Sequence, residues 1–272
     1  MKIGLALSGG AARGIAHIGV LQYLEERNIK PCCIAGTSAG SIVGAYYCSG
    51  RSISEIKSLA SKMSWKDLFK LSVPRKGLIR ISRFLAMLEE ELGDTAFDQL
   101  KIPLIVNAVD LISGEEVLFT EGPVARAVAA SCAIPGIFTP IKIDNRLFVD
   151  GGLLDNVPAA HMKDSNVDFI IAVNVVAQKP LQREPDSIFE ILVQSYDIIR
   201  RYRDIPACKN ADALVEPDLS GFSFWDSSKA DELTEMGYKA AKEALDHLDL
   251  KKKKGRIAAW FSSKKGVNKC RQ

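Results

Sequence analysis

The chain has 272 residues, 47% of them hydrophobic and 25% charged, with a formal net charge of +3. That is the make-up of a folded globular chain with ample residues for a large core, and no apolar run approaches the ~20 residues that would span a bilayer. The charge is uneven: residues 251–272 hold nine Lys/Arg and no Asp/Glu, leaving 27 basic against 33 acidic residues in the body, so the positive balance is no argument for nucleic-acid binding.

The first predicted element is a buried strand over 2–8 (KIGLALS), whose one lysine and short apolar run are too little for a secretory signal. Ser8-Gly9-Gly10 breaks it. A helix follows over 14–28, where Ile15, Ile18, Leu21 and Leu24 repeat every three residues and Glu25, Glu26 and Arg27 close the polar side. Residues 32–35 form a second strand, and strand–helix–strand at this distance implies a right-handed crossover and a parallel pair. Residues 39–47 are small and helix-compatible, and Ser52 with Glu55 makes a capping-box start for a helix to about 63. Residues 65–77 lack a clear period. In 79–92, Ile81, Phe84, Leu85, Leu88 and Leu92 share one helical face. A core helix and a lid or acyl-groove helix are both compatible with that stripe.

Residues 103–110 and 116–120 read as one hairpin, and 141–143 with 146–149 as another across Asp144-Asn145. Between them lies a helix over 123–132 with proline in its first turn. The β-branched run 168–176 predicts a fully buried strand. Helices over 187–202 and 227–248 flank a short strand at 213–216. Strands alternate with helices to the end of the body, which predicts one α/β domain over 1–249 and a basic tail over 250–272. The six cysteines show no C-x-x-C or His/Cys grouping, so free thiols in a reducing cytosol are expected and no metal.

Two glycine-bearing turns carry the chemistry. Gly36-Thr37-Ser38-Ala39-Gly40 has the spacing of a nucleophile elbow, a strand-to-helix turn that lifts one serine hydroxyl clear of the backbone. Glycines at 36 and 40 fit a turn where a Cβ would collide. A serine needs a base, and the oxyanion it creates needs donors. Ser8-Gly9-Gly10-Ala11-Ala12-Arg13-Gly14 runs into a helix N-terminus and offers bare N–H groups. It is not a P-loop, since Arg13-Gly14-Ile15 stands where G-K-[ST] is needed, and Ala11 breaks a dinucleotide fingerprint. Both turns follow strands of one parallel sheet and should open on the same edge.

Candidates for the base are Asp150, which runs into Gly151-Gly152, and the three histidines, His17, His161 and His247. Chain order Ser38…Asp150…His161 would suit a triad, but eleven residues leave little room to set Asp and His on opposite sides of a ring. Asp150 beside two glycines can be approached closely by other backbone, as a direct partner of Ser38 requires. Burial would have to raise its pKa from ~3.9 for it to serve at neutral pH.

The blocks SGGAARGIAHIGVL, GTSAGS, SCAIPGIFTP and VDGGLLDNVPA, in this order, closely resemble the bacterial patatin-like phospholipases, serine lipid acyl hydrolases with a Ser-Asp dyad. The resemblance implies a three-layer α/β/α fold with a mostly parallel sheet, Ser38 as nucleophile and Asp150 as base. It also implies an oxyanion hole from Gly9, Gly10 and Ala11 with Arg13 as the loop's basic residue, and no calcium or other cofactor. Ala11 replaces the third glycine of the commoner loop, a change a backbone donor survives if φ there stays negative. The expected substrate is a lipid or acyl ester. A Ser-His-Asp esterase using His161 or His247, and a silent membrane-associated protein of the same fold, are the rivals. Localisation is expected to be cytoplasmic. The tail, with Trp260 and Phe261 among lysines, suits either a solvated appendage or peripheral contact with an anionic membrane at its inner face.

Overall fold

The computed structural model describes residues 1–62, 80–163, 165–176, 184–185 and 188–250. The aperiodic stretch 65–77 and the tail 251–272 lie outside the described residues. The elements follow as β1 (Ile3–Leu7), a 3-10 turn (Ala11–Ile15), α1 (Ala16–Glu26), β2 (Cys33–Gly36), α2 (Ala39–Cys48), α3 (Ile53–Lys62) and α4 (Ile81–Leu92). Then come β3 (Leu104–Asp110), β4 (Glu116–Phe119), α5 (Val124–Ser131), β5 (Ile141–Ile143), β6 (Arg146–Asp150), β7 (Phe169–Val173), α6 (Ile188–Cys208), β8 (Ala213–Val215) and α7 (Ala230–Leu245). Every predicted strand and helix is present, with differences at the ends. The run 168–176 keeps only five residues in the ladder, and α6 continues six residues past its predicted end, through Pro206.

The strands pair in the sequence β5-β6-β3-β2-β1-β7-β8, with β4 on β3. The five from β3 to β8 along this path are parallel, and β4, β5 and β6 are antiparallel additions. Alternation sorts the central side chains onto two faces. Leu5, Leu7, Ile34, Val106, Ile171 and Val173 join the larger core. Ala6, Cys33, Ala35, Ile105, Ile170 and Ala172 join a smaller one closed by Val157, Met162 and the end of α6. Burial on both faces is why these strands read as unbroken apolar runs. The layer over the second face is thin, made of 3-10 turns and the end of α6.

α1 and α7 pack backbone to backbone over the larger core. A Cβ on Gly19 would stand 1.8 Å from the Thr234 carbonyl oxygen, and one on Gly237 would stand 1.9 Å from that of Ala16. Gly19→Ala is therefore expected to push the helices apart and lower the unfolding free energy by about 1–3 kcal/mol. A urea midpoint that falls with an unchanged m-value checks it.

The sheet also brings two chain ends together. β4 takes Val106–Val109 on one edge of β3, so β2 and β6 share the other edge. Gly36 pairs with Val106 and Asp150 with Ala108. Two residues along β3 separate the end of β2 from the end of β6, and Ser38 is two residues beyond Gly36. The register thus carries residue 38 toward residue 150.

Candidate active site

The elbow is built by close contacts. β2 stops at Gly36, Thr37 donates its N–H to the Leu7 carbonyl at 3.0 Å, and α2 begins at Ala39. A Cβ on Gly36 would lie 2.7 Å from the Gly40 carbonyl oxygen, and one on Gly40 only 2.2 Å from that of Leu7. Between them Ser38 sits at φ +49°, ψ −121°, a conformation that costs a non-glycine residue about 1–3 kcal/mol and persists only where its surroundings enforce it. Those surroundings are specific. The Ser38 N–H donates to Ser131 Oγ at 2.8 Å, and Ser41 Oγ donates to the Ser38 carbonyl at 2.6 Å. Thr37 Oγ1 reaches Asn107 Oδ1 at 2.8 Å and the Asp155 carbonyl at 3.1 Å.

Asp150 ends β6 and is 2% exposed. Its carboxylate accepts the Gly152 N–H at 2.8 Å, and the Ser38 hydroxyl dipole beside it also favours the charged form. Burial pushes its pKa up to about 6, against the opposing pull of those two donors and the Arg200 charge. The rise meets the condition for a carboxylate base near neutral pH. Gly151 is required sterically, since a Cβ there would sit 2.5 Å from the Asn107 carbonyl oxygen, while a Cβ on Gly152 would stand 2.9 Å from the Tyr196 hydroxyl, a side-chain end that can shift.

Ser38 and Asp150 open into a cavity of about 330 Å³. Ile134, Ile137, Phe224 and Trp225 give it an apolar wall, and Asn156 with Tyr196, Asp197 and Arg200 of α6 a polar one. The polar wall is a buried network. Arg200 donates to Asp197 and, at 3.2 Å, to Asn156 Oδ1, while Asn156 Nδ2 donates to Asp204 at 3.2 Å. Burial lifts the Asp204 carboxyl to about 6.

The glycine loop lines the same cavity through Gly9, Gly10 and Ala11. Three details differ from expectation. Gly9 already donates its N–H to the Asn156 carbonyl at 3.3 Å. That leaves the N–H groups of Gly10 and Ala11, which have no backbone acceptor among the described residues. Ala11 lies at φ +48°, so the negative φ anticipated there does not hold, and the alanine carries the left-handed backbone that a glycine would adopt without strain. Arg13 does not line the cavity. Its Nε and Nη2 donate to the Phe222 carbonyl at 3.0 and 2.7 Å, and its guanidinium lies 3.9 Å over the Phe224 ring. Planar stacking and a forked donor make it an anchor for the 222–224 wall.

The family model described as "Patatin-like phospholipase" matches residues 5–163, which contain both turns and Asp150. The chain belongs to the patatin-like phospholipase family. An uncharacterised NTE family protein of Mycobacterium tuberculosis (strain H37Rv) is 39% identical over 177 residues, 64% of this chain and 49% of the relative. A lysophospholipase of Coccidioides immitis is 29% identical over 282 residues, 91% of this chain and 18% of the relative. The chain thus spans about half the length or less of these relatives. Among solved structures, VipD from Legionella pneumophila superposes with a TM-score of 0.62 at 15% identity, over 90% of this chain and 66% of that one. That likeness shows the fold.

The histidines of this patatin-like domain sit apart from its serine, and none of the three lines the cavity with Ser38 and Asp150. His17 is fully buried with Nε2 2.8 Å from the Ser8 carbonyl, and burial drops its pKa to about 4. His161 lies 3.1 Å from Glu116 and 3.3 Å from Asp155, and these carboxylates raise it to about 9. His247 follows the end of α7. The grouping of Glu116, Asp155 and His161 is the one metal-compatible cluster among the described residues. At neutral pH the imidazolium itself supplies the cation between the two carboxylates. Glu116 also accepts from Asn107 Nδ2 at 2.8 Å, so the cluster braces the strand behind Thr37. No helix among the described residues is long and apolar enough to cross a membrane.

Proposed function

We propose that this patatin-like domain is a serine acyl hydrolase acting on lipid esters through a Ser-Asp dyad. The observation that carries the reading is the cavity shared by Ser38 on its elbow and the buried Asp150 carboxylate, whose pKa burial lifts to about 6. In this mechanism Ser38 Oγ attacks the acyl carbonyl while Asp150 takes its proton. The N–H groups of Gly10 and Ala11 receive the oxyanion. Asp150 returns the proton to the leaving alcohol, and the acyl group stays on Ser38. A water then attacks the acyl-enzyme, Asp150 again accepts the proton and passes it to the departing Ser38 Oγ, and the fatty acid leaves. The lysophospholipase name of one relative supports a lipid substrate. So does the apolar wall of the cavity.

Labelling with a fluorophosphonate probe, followed by peptide mapping, tests this directly. One adduct on Ser38 is expected, and an unlabelled Ser38 in folded protein would refute the assignment. A second prediction concerns pH. An Asp150 base must be ionised, so kcat/KM should rise about tenfold per pH unit below 6 and level off above it. A limb near 4 or near 9 would point to another group.

The 251–272 tail supplies peripheral contact with anionic lipid in this reading, each basic residue near the surface contributing about 1 kcal/mol. Truncation after Leu250 should weaken co-sedimentation with anionic vesicles, as should added salt, and leave hydrolysis of a short soluble ester unchanged. Equal binding by both forms would make the tail a solvated appendage.

A further inference from the structure

A second cavity lies beside the catalytic one. Its volume is about 160 Å³, and its wall is largely aliphatic: Ile42 and Val43 of α2, Ile56 and Leu59 of α3, Met87 and Leu88 of α4. Polar residues enter at Lys62, Glu90 and Glu91. Ala11 of the oxyanion loop lines this cavity and the catalytic one alike. Gly14 and Ala39, the neighbours of the loop and of Ser38, line the second cavity as well.

We propose that this second cavity is the subsite for the distal part of the substrate's acyl chain, entered from the catalytic cavity across Ala11. The inference rests on the acyl-hydrolase reading and adds where the chain goes. Three observations support it. First, its volume matches that of an apolar guest of about six carbons, and most of its lining is aliphatic. Second, the shared residue belongs to the loop that would hold the acyl carbonyl, so a chain leaving that carbonyl meets Ala11 at once. Third, one wall of the catalytic cavity is polar, with Asn156, Tyr196, Asp197 and Arg200. That wall suits the alcohol portion and is a poor surface for a hydrocarbon chain. The two uses considered for α4 therefore coexist. Phe84 and Leu88 are buried in the core and also wall the cavity, and half-buried Met87 completes it.

The test fills the cavity from its far side. Leu59→Trp and Met87→Trp replace half-buried wall residues that do not line the catalytic cavity, so each protein should fold and hydrolyse a butyrate ester at the parent rate. One methylene in an apolar site is worth at least about tenfold in specificity. The kcat/KM ratio of dodecanoate to butyrate p-nitrophenyl esters should therefore fall more than ~10-fold in either variant. A second readout needs no turnover: cis-parinaric acid should bind the Ser38→Ala protein at least ~10-fold more weakly when Leu59→Trp is added. An unchanged chain-length profile in both tryptophan variants, with butyrate hydrolysis intact, would overturn the subsite and leave the hydrolase reading standing. Loss of parinarate binding on cavity filling, in a protein whose wild type cleaves no ester, would sink the hydrolase reading and keep the cavity as an acyl site.

Discussion

Ser38→Ala is expected to lower ester turnover by about 10⁴–10⁶-fold, the range in which removal of a catalytic nucleophile falls. The substitution deletes one buried hydroxyl in the cavity that Asp150 also lines. The backbone hydrogen bonds that hold the elbow, from Ser38 N–H to Ser131 and from Ser41 to the Ser38 carbonyl, do not involve that hydroxyl and should survive. Folding is therefore expected to be retained, while a fluorophosphonate adduct should disappear. Turnover measured on purified protein beside a circular-dichroism melt decides it. Wild-type-like hydrolysis by folded Ser38→Ala would move the nucleophile elsewhere.

The second large effect is at Asp150. Asp150→Asn keeps the shape and the acceptor for the Gly152 N–H but removes the basicity, so activity should fall about 10²–10⁴-fold. Alanine at His17, His161 or His247 should leave most of the activity, and a collapse at His161 or His247 in folded protein would instead argue for a triad. Stability should move the other way. The folded pKa of Asp150, about 6, lies above the ~3.9 of an unfolded aspartate. The folded protein thus holds the proton more tightly, and that stabilisation is fully present below ~3.9 and lost as pH rises through 6. At pH 7–8 the ionised carboxylate is a buried liability that asparagine removes. The variant should melt higher than wild type there, and the difference should shrink toward pH 4. A variant that loses activity while gaining stability separates a functional group from a structural one.

The serine and aspartate were legible because each stands in a short block whose spacing has a steric reason. Glycines at 36, 40 and 151 are demanded by backbone within 3 Å of where a Cβ would go, and Gly152 is crowded by the Tyr196 and Asp150 side chains. The β-hairpin across Asp144-Asn145 was equally plain, since both residues take the positive φ that such a turn needs. The polar wall was not. Asp197, Arg200 and Asp204 recur at helical spacing on α6, and a charged helical stripe ordinarily faces water. Here it is buried because Arg200 pairs with Asp197 and both Arg200 and Asp204 bond Asn156. No local pattern announces that partnership, which spans more than 40 residues. Arg13 was misassigned for a related reason. Sequence placed it in the right loop, but its acceptor, the Phe222 carbonyl, is more than 200 residues away. The sign of φ at Ala11 is likewise set by contacts outside the loop: the next residue's N–H is tied to the Phe224 carbonyl at 2.9 Å.

The way the sheet terminates bears on how the protein behaves at high concentration. On one side of β3 the sheet ends at β4, four residues long, and on the other it ends at β5 and β8, each three residues long. Unpaired N–H and C=O groups along a long flat strand invite a neighbouring molecule to add its own. Strands this short present few such groups, and β5 carries the exposed Lys142 at its centre. A charge there opposes the stacking that strand addition requires. The wholly buried apolar strands β1, β2 and β7, which would be the hazardous templates, have partners on both sides. Self-association by sheet extension is thus designed against at each margin, and concentrated samples should resist fibril formation until the central strands are exposed by unfolding.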